Sequence, residues 1–141
     1  LRPNLAISLH APDSKLRAEL MPIEAKYPLS EVMGAADRYP VPRGGRVTYE
    51  YVLLRGVNDE DRHARALVRL LRGHHGKVNL IPLNPAGDIP FEAPRPEQVR
   101  RFESILLDAG IPVSVRRPRG QDVLAACGQL HLRKTRGAAV A

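Results

Sequence analysis

Arg46-Val47-Thr48-Tyr49-Glu50-Tyr51-Val52-Leu53-Leu54 is the stretch whose reading decides the fold. Val47, Tyr49, Tyr51 and Leu53 alternate with Thr48, Glu50 and Val52, the two-residue period of a β-strand, in residue types that suit a pleated surface. One face is wholly apolar. The other carries Glu50, which must either pair with a basic residue or line a cavity. Working outward, the same period runs upstream through Leu5, Ile7 and Leu9, with Ala6, Ser8 and His10 between them, so a strand is expected from Asn4 to Ala11 with Ser8 and His10 sharing a face. Downstream, Lys77-Val78-Asn79-Leu80-Ile81 and Ile111-Pro112-Val113-Ser114-Val115 read as two more strands.

Helical patterns fill the intervals. Asp13 suits the N-cap of a short helix through Leu16, Ala18 and Leu20, which Met21-Pro22 ends. Leu29, Val32, Met33 and Ala36 recur at helical spacing behind Pro28. Gly56-Val57-Asn58-Asp59 is a turn whose Asn58 is placed to cap a helix carrying Ala64, Leu67, Val68 and Leu71. A last helix over Glu97–Ala109, with Pro96 before it and Gly110 after it, turns Val99, Phe102, Leu106 and Ala109 inward. Strands alternating with helices imply crossover connections and a parallel sheet, an α/β fold. Four strands are too few to close a barrel, so the expected architecture is an open or partial one.

Composition bounds the chemistry. The chain has 141 residues, the size of one domain, and no run near the ~20 apolar residues of a membrane-spanning helix, so a cytoplasmic protein without membrane contact is expected. Lysine and arginine number 22 against 15 acidic residues, a net charge of +7, which favours a polyanionic partner such as nucleic acid. Two Phe, four Tyr and no Trp leave little for an aromatic base-stacking platform. The single cysteine, Cys127, excludes an internal disulfide and any metal site or cluster needing several thiolates from this chain. The five histidines form no metal-binding pattern. Leu1 leads directly into a strand, so the chain is expected to be a piece of a longer protein.

Functional side chains in parallel α/β folds gather at the carboxyl ends of strands, which selects Ser8 and His10, Glu50, Asn79, Asn84 and the segment after Val115. Ser8 and His10 suit hydrogen bonds to ribose hydroxyls or a carboxylate, or form an interior polar pair. Asn84 is a turn residue or a ligand contact. Cys127 lies among small residues in Ala125-Ala126-Cys127-Gly128-Gln129-Leu130, where a lone thiol is an inert hydrophobe or a thiolate favoured by Arg116, Arg117 and Arg119. Those arginines, with His131, Arg133, Lys134 and Arg136, form a solvated tail or a phosphate-binding patch.

Five blocks in order, Leu5-Ala6-Ile7-Ser8-Leu9-His10-Ala11-Pro12, Val47 to Leu54, Gly56-Val57-Asn58-Asp59, Lys77-Val78-Asn79-Leu80-Ile81-Pro82-Leu83-Asn84-Pro85 and Ala125 to Leu130, together resemble the C-terminal half of the radical S-adenosylmethionine (SAM) methyltransferases that methylate adenine C2 in 23S ribosomal RNA and in tRNA. The resemblance implies the second half of a partial (β/α)6 barrel over residues 1–120 and a C-terminal tail, 121–141, carrying the methyl-accepting cysteine. It implies that Ser8, Leu9, His10 and Asn84 bind SAM. Cys127 would accept a methyl group from one SAM. A 5′-deoxyadenosyl radical from a second SAM would take a hydrogen from that S-methyl, the carbon radical would add to adenine C2, and a second cysteine would resolve the adduct. The Cys-x-x-x-Cys-x-x-Cys motif for the 4Fe–4S cluster, the glycine-rich SAM contact, the glutamate base and the resolving cysteine are absent from this sequence. Partners implied are 23S rRNA, tRNA and the missing N-terminal half of the enzyme, and this chain alone is expected to be inactive. A relative methylating adenine C8, and a non-catalytic basic RNA-binding α/β module, are the alternatives.

Overall fold

The computed structural model describes residues 5–40, 46–84 and 90–116. Four strands, β1 (Ala6–Ser8), β2 (Val47–Leu53), β3 (Gly76–Pro82) and β4 (Val113–Val115), pair in parallel in the order of the sequence. Helices α1 (Ser14–Leu20) and α2 (Leu29–Arg38), separated by a 3₁₀ turn at Pro22–Ala25, connect β1 to β2; α3 (Asp61–Leu71) and α4 (Pro96–Asp108) make the later crossovers. The expected α/β fold and element order are observed.

Helices α2, α3 and α4 take one face of the sheet. Leu9, Val47, Tyr49, Tyr51, Leu53, Val78 and Leu80 are buried there against Leu29, Met33 and Ala36 of α2, Leu67 and Leu71 of α3, and Phe102 and Leu106 of α4. Strands that step steadily in one direction under helices on one side belong to a barrel wall, whereas a doubly wound sheet reverses its order at a switch point. The Tyr51 and Phe102 rings meet at 5.3 Å between centroids, tilted by 45°, within the favourable distance range for aromatic pairs. Gly76 starts β3 because a Cβ there would lie 2.5 Å from Tyr49 Cε2 and 2.7 Å from the Val47 carbonyl. A second apolar cluster, including Leu20, Met21, Val52, Leu54, Ile81, Leu83 and Phe91, closes off the carboxyl ends of β2 and β3.

Three local expectations change. The first strand stops at Ser8, and His10 takes a left-handed backbone with φ 59°, so Ser8 and His10 do not continue one strand face. Asn58 does not cap α3: Glu60 does, its side chain accepting from the His63 amide while His63 Nδ1 accepts from the Glu60 amide at 3.1 Å, a capping box with histidine in place of Glu or Gln. Ala109 is exposed rather than inward, because α4 ends one residue earlier and Gly110, with φ 82°, turns the chain away.

Candidate functional site

The carboxyl end of β1 is built around two buried polar side chains from elsewhere. Arg17 of α1, only 4% exposed, spreads its guanidinium fork over the chain it follows. Its Nε donates to the Leu9 carbonyl at 3.3 Å, Nη2 to the Ser8 carbonyl at 3.1 Å, and Nη1 to the Tyr27 carbonyl at 3.3 Å and to Glu24 Oε1 at 2.9 Å. Glu24 uses its other oxygen to accept from the Leu29 amide at 3.1 Å, so both charges are neutralised and most of their hydrogen-bonding capacity is used, the condition for burying an ion pair. Arg17 and Glu24 thereby join β1, the 3₁₀ turn and the start of α2.

Asn58, fully buried, does the same from the turn after β2. Its Nδ2 donates to the carbonyls of His10 at 2.9 Å and Val52 at 2.8 Å, and its Oδ1 accepts from the Leu54 amide at 2.7 Å. The Asn58 carbonyl in turn accepts from Tyr51 Oη at 2.7 Å. These bonds hold His10 in a left-handed conformation that non-glycine residues adopt at a cost of order 1 kcal/mol. Val52 donates its amide to His10 Nδ1 at 3.0 Å. A backbone N–H can only donate, so the neutral His10 ring carries its proton on Nε2.

The consequence is chemical. The carbonyls of three successive residues, Ser8, Leu9 and His10, all accept from Arg17 or Asn58. Ser8 carries a hydroxyl and the buried His10 ring an Nε2–H, while the Leu9 side chain is fully buried in the core and serves as the anchor between them. Asn84 lies exposed just beyond β3. Cys127 and the residues from 117 onward lie outside the described residues.

Strand register adds residues that the sequence could not align. Ser8 pairs with Glu50, Glu50 with Asn79, and Asn79 with Ser114, so these four stand in one row across the sheet on the face opposite α2, α3 and α4. Ser114 Oγ donates to Asn79 Oδ1 at 3.4 Å. Glu50 Oε2 stands 3.9 Å from Arg116 Nη2, at the head of the basic segment. Sequence reasoning singled out Ser8, Glu50 and Asn79 separately; Ser114 was missed, its only signal being its place in the last strand.

Electrostatics near the α3 N-terminus are strongly shaped. Hydrogen bonds from Arg101 and Gln98 hold the Asp61 carboxyl down at about 2. Burial pushes Asp59 up and His63 down, the latter assisted by Arg62. Asp59 Oδ1 accepts from the Gly56 amide at 2.9 Å, so these groups stiffen the turn that carries Asn58. Among the described residues no cluster of three His, Cys, Asp or Glu side chains could hold a metal ion, and none of their helices is long and apolar enough to cross a membrane.

The sequence and the fold recur in proteins of known kind. A "Probable dual-specificity RNA methyltransferase RlmN" from Koribacter versatilis is 54% identical over 130 residues, 92% of this chain and 38% of that protein. A "Dual-specificity RNA methyltransferase RlmN" from Gluconobacter oxydans is 50% identical over 128 residues, 90% of this chain and 31% of its own length. The chain is homologous to part of the RlmN methyltransferases. A crystal structure of a radical SAM methyltransferase from Sphaerobacter thermophilus matches with TM-score 0.81 and 52% identity, covering 93% of this chain and 38% of that one. A domain of a pyruvate-formate lyase-activating enzyme from Bacteroides vulgatus, 19% identical with TM-score 0.58 over 79% of this chain and 66% of that one, shares the fold. No protein-family model matches. The chain spans 38% and 31% of these two RlmN relatives, a smaller share than the half expected from sequence.

Proposed function

We propose that this chain is part of a cytoplasmic radical SAM methyltransferase that methylates C2 of adenine in 23S rRNA and tRNA. The observation that carries the reading is the Ser8–His10 segment, held at the carboxyl end of β1 by Arg17 and Asn58, within a chain about 50% identical to RlmN proteins. Ser8 and His10 would hold SAM through the hydroxyl and Nε2–H, Leu9 would anchor the segment from the core, and Asn84 would reach the ligand from the loop after β3. When bound, SAM supplies the methyl group and, at a reduced iron–sulfur cluster, a radical initiator. One cysteine cannot ligate such a cluster, so its ligands belong to the rest of the enzyme. Among the described residues β1 pairs only with β2, and its outer edge would receive the preceding strand of the barrel.

Cys127, in the proposed tail 121–141, would be the nucleophile that accepts the methyl group. The methyl transfer needs the thiolate, which Arg116, Arg117 and Arg119, upstream in the sequence, would favour on coming close to it, and the same cations would meet RNA phosphates. The test is Cys127→Ala in the full-length enzyme. Methylation should be abolished with RNA binding retained; unchanged methylation would refute the assignment.

A further inference from the structure

We infer that Glu50 is a further binding residue for the nucleoside cofactor, accepting hydrogen bonds from its hydroxyl or ammonium donors; the inference rests on the reading that this site takes SAM. Any ligand of that class brings both acceptors and donors. At the end of β1 the carbonyls of Ser8, Leu9 and His10 each already accept from Arg17 or Asn58, so the side-chain oxygen this segment offers is the Ser8 hydroxyl. A stronger acceptor for the ligand's donors stands on the neighbouring strand.

Register points to Glu50. Its Cα is the direct partner of Ser8, and on adjacent strands such partners stand about 4.8 Å apart. Alternation along β2 places Tyr49 and Tyr51 in the helix-covered core and Glu50 on the opposite face, where its side chain is 30% exposed. Asn79 continues the row on β3 and is itself engaged by Ser114. An ionised carboxylate is the strongest acceptor in the row, and its negative charge also suits a ligand bearing a sulfonium and an ammonium. The contact to Arg116, at 3.9 Å and with the arginine side chain 45% exposed, is a loose ion pair of the kind worth little on its own. It does not by itself account for an acid on this face.

The experiment measures equilibrium binding to the full-length, cluster-loaded enzyme without RNA, using SAM and 5′-methylthioadenosine, which keeps the ribose and lacks the ammonium. Glu50→Gln should weaken SAM by roughly tenfold or more, the loss of one charge-assisted hydrogen bond. Arg116→Ala, which removes the loose ion pair and leaves the carboxylate in place, should weaken SAM less than Glu50→Gln does. If Glu50→Gln weakens both ligands, the ribose hydroxyls are the donors; if it weakens SAM alone, the carboxylate answers the positive charge of the ammonium or sulfonium, both of which 5′-methylthioadenosine lacks. Either result supports the inference. It is overturned if Glu50→Gln binds SAM as wild type does, or if Arg116→Ala and Glu50→Gln weaken SAM equally, which would make the pair a structural tie. Should the glutamine variant not fold, Glu50→Asp, which keeps the charge and shortens the reach, should also weaken SAM, and wild-type affinity in that variant would overturn the inference. Failure of the wild-type enzyme to bind SAM would instead refute the functional reading beneath.

Discussion

Asn58→Ala removes three hydrogen bonds at once, leaving the His10 and Val52 carbonyls and the Leu54 amide without their partner. The side chain is fully buried, so water cannot replace it without opening the turn. Each orphaned buried group costs about 1–3 kcal/mol, and with partial relaxation the sum is about 4 kcal/mol. For a chain of this size a urea m-value near 2 kcal/mol per molar places the expected fall in unfolding midpoint at about 2 M. Far-UV circular dichroism against urea reads it directly. Asn58→Asp is the sharper comparison because it preserves shape and the acceptor for Leu54. It turns a second oxygen toward the two carbonyls, however, and should be as destabilising as alanine at neutral pH. A midpoint change below about 0.5 M for either variant, or about 1 kcal/mol, would refute the reasoning that this side chain holds the carboxyl end of β1.

Arg17→Met leaves Glu24 buried without its cation and should cost about 3–5 kcal/mol in the same unfolding assay, with loss below about 1 kcal/mol counting against a structural ion pair. His63 has a folded pKa lowered chiefly by burial, so the unfolded state binds protons first. Stability should be full above about pH 6.5 and decline as pH falls from there toward the folded value. His63→Gln, which keeps a capping-box residue at that position, should flatten the decline between about pH 7 and 5.5, and an unchanged slope would point to another group. Asp61 acts in a lower window: its carboxyl is held at about 2, so its contribution is present above about pH 4 and lost as pH falls toward 2. Asp61→Asn should remove that loss.

The elements were legible because their cues are local. Alternation through Val47–Leu53, the proline at the start of α4 and Asp13 at the start of α1, which accepts from the Leu16 amide at 2.8 Å, each act within a few residues. The site was only half legible, because its geometry is set at long range. The apolar alternation through Leu9 says nothing of where pairing ends. That point is fixed by Asn58, whose partner His10 lies 48 residues away in sequence. Asn58 looked like a helix cap because asparagine favours caps, yet buried carbonyls claimed its amide instead. Arg17 resembled any basic residue on a short helix until Glu24 and three carbonyls surrounded it. The alignment of Ser8, Glu50, Asn79 and Ser114 depends on register between strands, which no single segment encodes.

The proposal that a thiol in this chain carries the methyl group is tested most directly by mapping the methyl itself. The full-length enzyme, incubated with methyl-deuterated SAM and digested, should show one labelled methyl on the peptide containing Cys127 and labelled C2 on adenine in its RNA. Labelled adenine C2 with no label ever found on Cys127, including when radical chemistry is withheld, would contradict the account.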